Sequence, residues 1–140
     1  MGQFVFSRVS GAISVLLALV AFPVSAGDLL PDILKNPTYL ASWNRLIASQ
    51  ENNEPWLKRY SEVFDGPTVP SSHVTLSDGT YTITWVCQAH NCGFRRFCAL
   101  FAPDGKDAWG ILLKDTRDET LFGAPDEEKS SAIRRYLWEN

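Results

Sequence analysis

Two cysteines five positions apart, Cys87 and Cys92, bracket the polar stretch Gln88-Ala89-His90-Asn91, and strand-like runs lie on both sides of it. A hairpin-like loop brings its two ends together, so Cys87 and Cys92 are the pair expected to form a disulfide. Closing so small a ring removes only about 2 kcal/mol of unfolded-state entropy, which makes global stability a weak reason for the bridge. Holding one short loop in one shape is a better one. A rigid loop that presents an imidazole and amide groups enters a partner's cleft with little loss of conformational freedom. The pattern suggests a plug rather than a catalyst.

The periodicity around that loop is that of an antiparallel sheet. Val74–Leu76 and Thr80–Val86 are expected to pair across a turn at Asp78-Gly79. Tyr81, Ile83 and Trp85 share one face and Thr80, Thr82 and Thr84 the other, an alternation that suits a sheet with one covered face. Arg95–Phe101, Trp109–Leu113 and Glu119–Phe122 follow, linked by Pro103-Asp104-Gly105-Lys106 and by Thr116–Asp118. Short consecutive links favour a meander of about five strands.

Helices are expected on both flanks. Leu29–Leu34 has room for one or two turns, and Thr38–Asn52 carries Leu40, Trp43, Leu46 and Ile47 on one face behind a start signal at Asn36-Pro37. Trp56, Leu57, Tyr60 and Phe64 fit a short helix or irregular cover. After Gly123-Ala124-Pro125, the acidic run Asp126-Glu127-Glu128 suits the positive end of a last helix reaching about Glu139. Its stripe is Ala132, Ile133, Tyr136 and Leu137, with Arg134 and Arg135 toward its C-terminal end. The fold class expected is α+β, with an antiparallel sheet of about five strands and the N- and C-terminal helices on one of its faces.

The chain opens with Arg8, an apolar run from Ala12 to Phe22, and Val24-Ser25-Ala26, the pattern of a secretory signal peptide. That run is short for a membrane span, which needs roughly 20 apolar residues, and no cysteine follows the cut to carry a lipid, so no membrane anchor is expected. Cleavage after about Ala26 leaves residues 27–140 as one domain, exported to a compartment where disulfides persist. Loss of Arg8 moves the formal net charge from −3 to −4. This disfavours nucleic acid as a partner and favours approach to basic proteins. Five Trp, four Tyr and eight Phe supply either a sizeable core or an aromatic contact surface.

Other chemistry fits less well. Cys87, His90, Cys92 and Cys98 are a possible zinc set, but His90 lies inside the same short loop as two of the cysteines, and oxidation favours a bridge over thiolates. A cysteine nucleophile activated by His90 would need a free thiolate and an orienting third group, and neither is indicated. Cys98, between Phe97 and Ala99 in a strand pattern, is expected as a buried thiol, with a bridge from Cys87 or Cys92 to Cys98, or one between molecules, as the alternatives. His73 stands at a loop-to-strand junction with a surface or capping role. Paired carboxylates, a serine triad, a phosphate-cradling glycine loop and a metalloprotease helix are not found, so neither an enzyme nor a cofactor is expected.

The bracketed stretch resembles the Ivy family, bacterial inhibitors of vertebrate (C-type) lysozyme. The family pattern Cys-Lys-Pro-His-Asp-Cys-Gly maps onto Cys87-Gln88-Ala89-His90-Asn91-Cys92-Gly93, and Gly79-Thr80-Tyr81, Pro55-Trp56, Leu121-Phe122-Gly123-Ala124-Pro125 and Leu137-Trp138 agree in order. The resemblance implies a periplasmic protein whose bridged loop enters the lysozyme cleft. His90 would meet the two catalytic carboxylates, and Gln88, Ala89, Asn91 and Gly93 would form the loop surface. The partner implied is a C-type lysozyme or related muramidase, and a homodimer is left open. Three loop positions depart from the pattern: Gln88, Ala89 and Asn91 replace its lysine, proline and aspartate. A rival reading is a periplasmic binding module that regulates the cell's own peptidoglycan hydrolases, or a structural module without inhibitory activity.

Overall fold

The structure is a computed structural model that describes residues 24–51 and 54–140. The apolar run assigned to a signal peptide lies outside the described residues, which take in only Val24-Ser25-Ala26 of that segment. Ten elements follow in order: α1 (Leu30–Ile33), α2 (Pro37–Ala48), α3 (Pro55–Lys58), α4 (Tyr60–Val63), β1 (Ser72–Leu76), β2 (Gly79–Cys87), β3 (Arg96–Phe101), β4 (Ala108–Leu113), β5 (Glu119–Phe122) and α5 (Glu127–Glu139). The strands form one antiparallel sheet in the order β1-β2-β3-β4-β5, the expected meander. No helix among the described residues is long and apolar enough to cross a membrane.

The expectation of one covered face is corrected: both faces are covered. The N-terminal helices send Leu30, Ile33, Tyr39, Trp43, Leu46, Leu57 and Tyr60 against Val86, Phe97, Ala99, Phe101, Leu112 and Phe122. On the other face Ile133 and Leu137 of α5 pack on Tyr81, Ile83, Cys98, Leu100, Ile111 and Leu113. The threonines of β2 concealed this. Thr82 and Thr84 are buried, and burial of a hydroxyl is tolerated when it is hydrogen-bonded. Thr84 Oγ1 donates to the Val69 carbonyl at 2.9 Å, and Thr82 faces the Tyr39 hydroxyl. Strand β3 shows the two-sided burial openly, since Phe97-Cys98-Ala99-Leu100-Phe101 is apolar without alternation.

Caps set the helix ends. The Asn36 side chain accepts from Thr38 N at 2.9 Å with Pro37 at the first helical position, and Asp126 accepts from Lys129 N at 2.9 Å. Three local readings shift. The β1–β2 turn is Ser77-Asp78, with Leu76 opposite Gly79, because Glu128 of α5 accepts from Ser77 N at 2.8 Å and from its hydroxyl at 2.6 Å. Helix α2 ends at Ala48 rather than Asn52. Arg134 serves the sheet rather than the helix end, its Nε lying 2.9 Å from Glu119 Oε2 on β5.

Candidate functional site

Strands β2 and β3 run in register from Thr82 opposite Phe101 to Cys87 opposite Arg96, and the bracketed loop crosses the open end of that ladder. Cys87 and Cys92 are joined by a disulfide with their Cα atoms 4.9 Å apart. Gln88 N donates to Arg95 O at 3.0 Å and extends the ladder by one step. Asn91 N donates to Gln88 O at 2.9 Å, closing a four-residue turn with Ala89 and His90 at its centre. His90 has φ +64° while Ala89 keeps a negative φ, the combination of a type II turn. A histidine accepts that left-handed position at a cost that the ring and the turn hydrogen bond must hold in place.

The turn is braced within and below. Asn91 Nδ2 donates to Gln88 Oε1 at 3.1 Å, so the two amides that replace the pattern's lysine and aspartate bind each other. The Asn91 carbonyl accepts from Phe94 N at 3.1 Å and Arg95 N at 3.0 Å. Arg95 in turn bonds the Lys114 carbonyl at the end of β4, and its Nε lies 3.6 Å from Glu54 Oε1 ahead of α3. On the opposite flank Cys87 N donates to Pro67 O at 3.0 Å. Gly66 (φ +139°) passes so close that a Cβ there would stand 2.2 Å from the Cys87 carbonyl oxygen. The sequence carries no local signal for these supports. Gly66-Pro67 was legible only as a connecting loop and Arg95 only as a strand residue.

His90 and Gly93 are exposed, while Gln88, Ala89 and Asn91 are half-buried. The structure therefore gathers every predicted loop residue at one end of the sheet. The His90 ring makes no hydrogen bond to the described residues, which leaves both ring nitrogens for an outside partner. Cys98 is not gathered there. It is a free thiol within the α5-facing core, and burial holds its pKa well above the usual thiol value. Among the described residues no group of three or more His, Cys, Asp or Glu is placed to hold a metal ion. His73 sits exposed on β1, its Nε2 3.4 Å from the Val24 carbonyl.

The model of the family described as Inhibitor of vertebrate lysozyme (Ivy) matches residues 38–138, most of the chain. The chain belongs to the Ivy family. It is 24% identical over 134 residues to an uncharacterised protein of Yersinia pestis, a match covering 95% of this chain and 80% of that protein. It is 28% identical over 82 residues to the Inhibitor of vertebrate lysozyme of Pseudomonas aeruginosa, covering 59% of this chain and 51% of that one. Ivy family members are inhibitors, not enzymes.

The type II geometry explains what the pattern's proline does and what Ala89 gives up. Proline at the second position of such a turn has its φ preset and restricts the unfolded chain. Ala89→Pro is expected to stabilise this Ivy protein by about 0.4–1 kcal/mol. Urea unfolding of the two forms at equal slope checks it, and a lower midpoint for Ala89→Pro would contradict the turn assignment.

Proposed function

We propose that this Ivy protein is a periplasmic inhibitor of C-type lysozyme that inserts its bridged loop into the enzyme's cleft and presents His90 to the catalytic carboxyl groups. The observation that carries the reading is the tip itself: an exposed imidazole, unpartnered among the described residues, on a turn fixed by a disulfide, a backbone hydrogen bond and an amide pair. A preformed tip loses little freedom on docking. Family membership and the named Pseudomonas aeruginosa relative supply the target class.

The chemistry follows from how glycosidases work. One carboxyl group must protonate the leaving oxygen while another acts as nucleophile or base. An imidazole hydrogen-bonded to that pair occupies the substrate's place and ties up the proton the reaction requires. Such bonds are charge-assisted and are worth about 1.5–3 kcal/mol where water is excluded. The direct test is cell-wall hydrolysis by C-type lysozyme titrated with residues 27–140. Loss of activity that is complete near one equivalent is expected. Undiminished hydrolysis at micromolar excess would reject the target and turn the search to the cell's own peptidoglycan hydrolases.

A further inference from the structure

Apolar side chains flank the His90 loop on both sides, and one of them belongs to the loop. Phe94 is 60% exposed, more than the other large hydrophobic residues left open by the described structure. A single exposed phenylalanine is ordinary, but this one is not on a loose segment. Its N–H is bonded to the Asn91 carbonyl, and its neighbour Arg95 is fixed to the Lys114 carbonyl and Glu54. The next residue toward the tip is Gly93, around whose Cα there is open space. The ring is thus left exposed on a braced backbone, four residues along the chain from the presented imidazole.

Across β2 the second flank repeats the arrangement. The segment that touches Cys87 through Gly66 and Pro67 begins with Val63 and Phe64, which are 48% and 41% exposed. Phe64 ends α4 in the left-handed region at φ +49°, a position that glycine or asparagine fills more readily. Among the described residues only Phe64, His90 and Ala124 are non-glycine residues with positive φ. Two of those three positions therefore border one end of the sheet, Phe64 with its N–H on the Tyr60 carbonyl and its ring edge-on to Tyr60 at 5.8 Å.

We infer that Phe94, supported by Val63 and Phe64, is a second, apolar anchor of the same docking surface, seated against the apolar wall of the saccharide cleft that His90 enters. This rests on the proposed lysozyme inhibition. The partner's chemistry fits, because ligand clefts are lined mainly by hydrophobic and aromatic side chains with few polar groups between them. His90 addresses the polar groups and Phe94 the wall. An aromatic anchor next to a desolvated polar contact is where binding energy concentrates in protein interfaces.

The experiment compares inhibition and dissociation kinetics of C-type lysozyme for wild-type protein, Phe94→Ala, Phe94→Leu, Trp138→Ala and His90→Gly, with thermal unfolding of each. Phe94→Ala is expected to raise the inhibition constant about 10- to 100-fold, through faster dissociation rather than slower association. Its thermal midpoint should be unchanged, and Phe94→Leu should fall between. Trp138, 55% exposed on α5, is the control and should shift inhibition by less than about twofold. Wild-type inhibition by Phe94→Ala alongside failure of His90→Gly would overturn the apolar anchor and leave the loop reading standing. A lowered midpoint in both Phe94 variants would assign the ring to folding and also overturn it. A wild-type protein that inhibits no C-type lysozyme would overturn both.

Discussion

Replacing His90 by glycine is expected to raise the inhibition constant for C-type lysozyme at least about 100-fold while leaving the fold intact. On the proposed docking, two charge-assisted hydrogen bonds at about 1.5–3 kcal/mol each are at stake, and 100-fold corresponds to about 2.7 kcal/mol. Glycine is a cleaner test than alanine because His90 sits at φ +64°. Glycine adopts that conformation without a Cβ penalty, so relief of strain offsets its greater freedom in the unfolded chain. The turn, with Asn91 N still bonded to Gln88 O, should then persist without the ring. Inhibition constants and urea midpoints measured together separate the two effects. A variant that inhibits like wild type would remove the imidazole from the mechanism. His73→Ala, on exposed β1, should change neither quantity.

The largest stability effect is expected at Phe97. Its ring is fully buried and meets Trp43 edge-on at 5.5 Å and Phe122 at 5.0 Å, joining α2, β3 and β5. It lies over Gly110 on the neighbouring strand, where an added Cβ would stand 2.4 Å from the ring's Cζ. Phe97→Ala should therefore cost about 3–5 kcal/mol through lost burial and an unfilled cavity. That is a large share of the stability of an ordinary domain. Gly110→Ala should also destabilise the wild-type protein, by about 1–3 kcal/mol from overpacking. In the Phe97→Ala background the clash with the ring is gone, and only the 2.9 Å approach to the Cys98 carbonyl oxygen remains. A double-mutant cycle in urea should show a strong favourable coupling. Additive losses would mean that ring and glycine do not share one site.

The strand and loop plan was legible because its signals are local. A change from helical to alternating period, short turns and a bracket of cysteines each act over a few residues, and the five strands fall within a residue or two of where those signals put them. What was not legible depends on partners far along the chain. Thr82 and Thr84 read as a solvent face, yet both are buried, and the Val69 carbonyl accepts from the Thr84 hydroxyl in the core. The first turn read as Asp78-Gly79, yet Glu128, some fifty positions away, draws it to Ser77-Asp78. The site divides in the same way. His90 and its bridge were evident from spacing, whereas the brace from Glu54, Gly66-Pro67 and Lys114 draws on three distant segments that no periodicity connects.

The position of the loop beyond the last buried rung of the β2–β3 ladder has a consequence for how such a protein can change. Gln88, Ala89, His90, Asn91 and Gly93 contribute nothing to either hydrophobic layer, so exchanging them leaves the principal source of folding free energy untouched. On the proposed reading the same scaffold is open to refitting to a different muramidase through a handful of substitutions, with the bonded Gln88–Asn91 pair exchanged together. On that reading, the residues that meet the target and those that carry the fold lie in separate parts of the chain, and the former are few enough to be rewritten together.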